Sequence, residues 1–142
     1  MGATTWQYFV PYQQDVSKAL EELREETFRT GAYEIPYGIE EAGIEKPESI
    51  EQLLEAAAEE GTHSILDIYQ VSSSPDFGSI TPLPPEAILQ IFATSTPTHE
   101  QIEAAAERGS FEEYVQRWQG IYIRVFQNDT PSELFFWGYS GD

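Results

Sequence analysis

Near its C-terminal end the chain reads Ile121-Tyr122-Ile123-Arg124-Val125-Phe126-Gln127, then Asn128-Asp129-Thr130-Pro131, then Glu133-Leu134-Phe135-Phe136-Trp137-Gly138-Tyr139. Two runs of β-branched and aromatic residues flank a cluster of turn formers. That is the pattern of a β-hairpin with a four- or five-residue loop. The protein therefore contains a sheet, and the rest of the chain is read as what pairs with it or packs on it.

Side chains alternate across a strand. Leu134 and Phe136 point one way, and Phe135 and Trp137, followed by Tyr139, point the other. On the partner strand Ile121, Ile123 and Val125 alternate with Tyr122, Arg124 and Phe126. One face meets helices. The remaining aromatics, Tyr122, Phe126, Phe135, Trp137 and Tyr139, exceed what a solvated sheet face needs. Three accounts compete: cover by further helices, a homodimer interface, or a ligand groove.

Upstream, Trp6 to Tyr12 alternates as a first strand. Asp15 can cap a helix whose buried stripe is Val16, Ala19, Leu20, Leu23 and Thr27, with Gly31 as its stop. Residues 32–46 hold Pro36, Gly38 and Gly43 and read as a loop of unusual length for a compact domain. Ser49 caps a second helix with Ile50, Leu53, Leu54 and Ala57 inward and Gly61 at its end. His63 to Val71 reads as an internal strand, because apolar residues occupy both of its faces.

Residues Ser72 to Gly78 are turn formers. Pro84 and Pro85 can open a short helix, where missing amide protons are not needed. Thr98 and Gln101 have capping-box spacing, and Phe111, Tyr114, Val115 and Trp118 form a helical stripe. The order is β-α-α-β-α-α-β-β. It predicts one α+β domain with a four-stranded antiparallel or mixed sheet and helices packed against it.

Composition excludes more than it selects. The 142 residues carry 25 Asp and Glu against 7 Lys and Arg, a formal net charge of -18. Fourteen of the acidic residues and four of the basic ones lie between residues 15 and 62. Such a field repels nucleic acid and anionic lipid and favours basic partners. With 40% hydrophobic and 13% aromatic residues, the charge must be the skin of a folded domain. There is no cysteine, so disulfides and thiolate chemistry are excluded. No apolar run approaches the ~20 residues that span a bilayer, and the N-terminus lacks a signal-peptide layout. A cytoplasmic protein without nucleic-acid or membrane partners is expected.

Two groups of polar residues invite functional readings. His63, Asp67 and Tyr69 would share one face of the 63–71 strand, and Asp67 interrupts an apolar run. They could form an acid/base pair, half of a metal site, or a structural Asp satisfied by a backbone amide or an arginine such as Arg124. On a regular strand His63 and Asp67 stand about 13 Å apart, too far for a direct hydrogen bond. The structural account is therefore favoured. The second group is the acidic helical face of Glu21, Glu22, Glu25, Glu26, Glu51, Glu55 and Glu59. A charged outer face is ordinary on a surface helix and accounts for much of this. Unpaired like charges at i, i+4 mildly destabilise a helix, however, so the excess points to solubility or a basic partner.

Glycine-rich phosphate loops, HExxH and calcium-loop spacings are absent from the sequence, and no cofactor is expected. The leading expectation is a non-enzymatic protein-interaction module, of inhibitor or immunity type, that engages a basic partner through its acidic helices. One alternative is a small-molecule binding module or enzyme with a pocket near Asp67 and the 32–46 loop. Another is a structural homodimer through the hairpin.

Overall fold

A computed structural model describes residues 4–34, 47–58 and 61–141. Its strands are β1 (Thr5–Pro11), β2 (Gln70–Val71), β3 (Ser79–Pro82), β4 (Gly120–Gln127) and β5 (Thr130–Tyr139). Its α-helices are α1 (Val16–Thr30), α2 (Ile50–Ala56), α3 (Pro85–Phe92) and α4 (His99–Glu107). The protein is α+β, with a single five-stranded sheet in the order β1-β5-β4-β3-β2. The sheet is mixed: β5 is antiparallel to β1 and β4, while β3 is parallel to β4 and β2.

The expected four strands become five, and the element order gains one strand. Ser79-Ile80-Thr81-Pro82 carries a single large apolar residue and ends in proline, so it lacks alternation. It pairs nevertheless, because Ile80 is fully buried against the sheet's core. The predicted strand 63–71 is also corrected. Gly61 and His63 both adopt positive φ (78° and 56°), and Ser64 caps a 3-10 turn over Ile65–Asp67. Only Gln70–Val71 of the predicted span pairs as a strand. The predicted helical stripe at 111–118 reduces to a 3-10 turn, Glu112–Tyr114. Gly109 (φ 76°) has already ended α4, and Trp118 itself takes φ 67°.

The hairpin turn is tighter than expected. Asn128 and Asp129 both have positive φ (51° and 62°), the geometry of a two-residue turn matched to strand twist. A register shift between Val125 and Phe126 adds a bulge. The caps agree with the sequence: Asp15 accepts from the Lys18 amide at 3.1 Å, Ser49 from Gln52, and Thr98 and Gln101 form a reciprocal box. The second helix stops at Ala56, short of Gly61.

Helices lie on both faces of the sheet. On one face α1 and the 65–67 turn cover Trp6, Ile80, Leu134 and Phe136, through Val16, Ala19, Leu20, Ile65 and Ile68. On the other, α3 and α4 cover Ile121, Ile123, Val125, Phe135 and Trp137, with Phe111 beneath them. A smaller cluster of Leu53 and Leu66 seats α2. At about 1.5–3 kcal/mol per buried large aliphatic or aromatic side chain, these two layers dominate the fold's stability. Gly138 belongs to this packing. It stands opposite Trp6, and a Cβ there would collide with the indole ring.

Candidate functional site

Three aromatic rings line up at the surface beside β2. Tyr69 and Phe77 have ring centroids 6.2 Å apart, and Phe77 and Trp118 5.3 Å apart. Tyr69 is 48% and Phe77 55% exposed, both unusual for side chains of this size. The local backbone is built to hold them. β2 and β3 are parallel and joined only by residues 72–78, a compact loop that brings Phe77 back beside Tyr69. Gly78 donates its amide to the Trp118 carbonyl at 2.7 Å, and its own carbonyl accepts from the Tyr69 amide at 2.7 Å. Gly78 needs φ 72°, and a Cβ there would strike the Tyr69 ring, so this position requires glycine.

Trp118 contributes the third ring from a strained backbone. A left-handed φ on a non-glycine residue costs roughly 1–2 kcal/mol. The Trp118 amide donates to the Tyr139 carbonyl at 3.2 Å, which ties this residue to the end of β5. Strain held by surrounding bonds beside exposed rings is a pattern associated with function.

The acidic face adjoins this row. Glu21, Glu22, Glu25 and Glu26 on α1 and Glu51 and Glu55 on α2 are exposed, while Glu59 lies outside the described residues. Glu26 pairs with Arg29 at 2.7 Å, while Glu22 accepts a hydrogen bond from the uncharged Gln13 amide at 2.7 Å. A cleft of about 380 Å³ separates α1 from β2, lined by Ser17, Leu20, Glu21, Arg24, Tyr69, Gln70 and Val71. Glu21 and Tyr69 thus face one space. Arg24 at its base is turned inward, where Nη2 donates to the Leu66 carbonyl at 3.3 Å. Burial pulls the Arg24 pKa down, opposed by Glu51, Tyr69, Asp67 and Glu21.

Asp67 has no exposed surface. Its Oδ1 accepts from the Thr62 amide at 2.8 Å and the Thr62 hydroxyl at 2.9 Å, while Oδ2 has no partner among the described residues. Burial pushes its pKa up, against the lowering effect of the Thr62 bonds and of His63. The 65–67 turn removes the shared strand face imagined for His63, Asp67 and Tyr69. His63 meets Glu34 instead, Nδ1 to Oε2 at 3.0 Å, and Tyr69 points to solvent. Arg124 sits on β4 with no ion pair among the described residues; the arginine whose charge acts on Asp67 is Arg24. The 32–46 loop lies outside the described residues from 35 onward.

The five hairpin aromatics expected to form an interface, Tyr122, Phe126, Phe135, Trp137 and Tyr139, do not share a surface. Phe135 and Trp137 are buried beneath α3 and α4, with Tyr139 packed against them, whereas Tyr122 packs on the α1 side. Phe126, beyond the bulge, lines two surface clefts.

A pair absent from the sequence reading is His99 with Glu133, Nδ1 to Oε1 at 2.8 Å, while Nε2 meets Glu103 at 3.2 Å. The ring stacks on Phe9 at 3.8 Å. The Glu133 bond raises the imidazole's pKa. Only the i, i+4 spacing to Glu103 was visible in sequence. With both nitrogens engaged, this histidine is a pin between α4 and β5 and not a free base.

Among the described residues no three His, Asp or Glu side chains converge as a metal site, and no helix is long and apolar enough to cross a membrane. No protein-family model, curated protein or solved structure matches the chain.

Proposed function

We propose that the protein is a non-enzymatic interaction module that docks a basic segment of a partner protein where the acidic face of α1 meets the Tyr69–Phe77–Trp118 row. The observation that carries this reading is the cleft lined jointly by Glu21 and Tyr69. Acidic side chains draw in a lysine or arginine, and an adjacent ring face then holds it by cation–π contact. Tyrosine and tryptophan are also the residues most enriched where binding energy concentrates. The remaining carboxylates act at longer range, steering approach.

The other two readings lack this support. Asp67 is out of reach of a ligand, since none of it is exposed. A homodimer through the hairpin has no free apolar face at Phe135 and Trp137, which α3 and α4 occupy.

Selection of a random peptide library against the immobilised protein tests the proposal. The expected result is enrichment of arginine- or lysine-bearing peptides whose binding weakens with salt and with Phe77→Ala or Glu21→Lys. Enriched peptides without cationic residues, or binding indifferent to both substitutions, would overturn it.

A further inference from the structure

The geometry points to a second site, for a small organic carboxylate with one compact apolar group, in the cavity between α3 and the open edge of β4. This cavity, about 260 Å³, is walled mainly by Pro82, Leu83, Pro85 and Ile88, and its polar side chains are Ser95, Tyr122 and Arg124. It is distinct from the acidic–aromatic surface, because the two share no lining residue.

Sheet topology explains why a cavity exists there. β3 pairs with β4 over Gly120, Ile121 and Tyr122 and no farther, and the Leu83 amide then donates to the Tyr122 carbonyl at 3.0 Å. Farther along, the Phe126 amide donates to the Pro97 carbonyl at 2.9 Å. Backbone groups that face one edge of a strand recur at alternate residues. Arg124 therefore presents its amide to the same side, and no hydrogen bond among the described residues closes the edge there. Tyr122, Arg124 and Phe126 project to one sheet face and Ile123 to the other, yet all four line the cavity. The opening thus straddles the strand edge.

Chemistry selects the ligand. In a chain with 25 acidic residues, Arg124 has no ion pair or hydrogen bond among the described residues, although it stands at the mouth of an apolar cavity. Leu89 at the same rim is 54% exposed, an apolar surface without cover. An apolar body fills the cavity, its carboxylate meets the Arg124 guanidinium, and the Ser95 hydroxyl is available as a further donor. Pro82 and Pro85 fix the wall, which lowers the ordering that binding requires. The volume lies just below the ~300–1,000 Å³ of ordinary small-molecule sites, so one ring with a short acid tail is the suitable size. At physiological ionic strength the screening length is about 8 Å, so the remote carboxylates are damped while contact with Arg124 is not.

The test is an amide-resonance titration of the full chain with 3-phenylpropionate and, separately, with 3-phenylpropionamide at 0.15 M salt. Saturable shifts at Leu89, Ser95 and Arg124 are expected, with the carboxylate about fivefold tighter than the amide, the advantage of a charged over a neutral hydrogen bond. Arg124→Gln, an exposed position, should erase that preference while the amide still binds. Absence of saturable shifts at these residues, equal affinity for both probes, or a preference that survives Arg124→Gln would each overturn the assignment.

Discussion

Phe77 packs its ring at 39° to that of Trp118, with centroids 5.3 Å apart, yet more than half of Phe77 remains in water. A ring that stabilises the fold would be buried. This one leans on a neighbour and leaves its outer face open. Phe77→Ala should therefore change folding free energy by less than about 1 kcal/mol, as surface substitutions do. The same change should weaken selected basic peptides at least tenfold. Urea denaturation alongside calorimetric titration separates the two effects.

Gly138 predicts the opposite balance. Its Cα lies under Trp6 in the core between β1 and β5, and the approach is too close for a side chain. Gly138→Ala should destabilise the protein by about 1–3 kcal/mol, the usual range for overpacking. Peptide affinity of the folded fraction should be unchanged.

Much of this fold was legible in the sequence because its local signals agree with its tertiary contacts. Asp15, Ser49 and Thr98 cap the helices they were expected to cap, and Ile121 to Tyr139 folds as a hairpin. The 63–71 strand failed where hydrogen-bonding side chains overrode hydrophobic pattern. Thr62, Ser64 and Asp67 tie residues 62–67 into a coil that an apolar run had disguised as a strand. The binding row was hidden for a different reason. Tyr69, Phe77 and Trp118 come from a strand entrance, a turn and a loop, and only the short parallel β2–β3 link brings them together. No spacing along the chain encodes that.

Asp67 gives a pH signature. Burial raises its folded-state pKa, so the folded chain holds a proton to higher pH than the unfolded chain. Stability owed to this group falls as pH rises from the ordinary aspartate value of about 3.9 towards the raised one, then levels off. Asp67→Asn removes the buried charge and keeps an acceptor for Thr62. The variant should gain on the wild type over that window in urea denaturation. A wild type that gains instead would mean the Thr62 bonds outweigh desolvation. Asp67→Ala, which strands the Thr62 donors, should cost about 3 kcal/mol.

His99 carries the reverse dependence. The Glu133 bond raises its pKa, so its contribution is fully present below the free imidazole value of about 6.5. It disappears as pH rises through the folded-state value. The side chain is 37% exposed, so solvent screening limits the whole effect to under about 1 kcal/mol. The difference in thermal midpoint between wild type and His99→Gln should therefore be largest near pH 6 and shrink by pH 9.

The docking surface itself is tested most directly by mapping amide and indole resonances during titration with the tightest basic peptide from the library. Shifts should cluster at Glu21, Tyr69, Gln70, Phe77 and Trp118, with the indole resonances of buried Trp6 and Trp137 unmoved. Shifts centred on α4, or scattered over every acidic helix without the Trp118 indole, would contradict it.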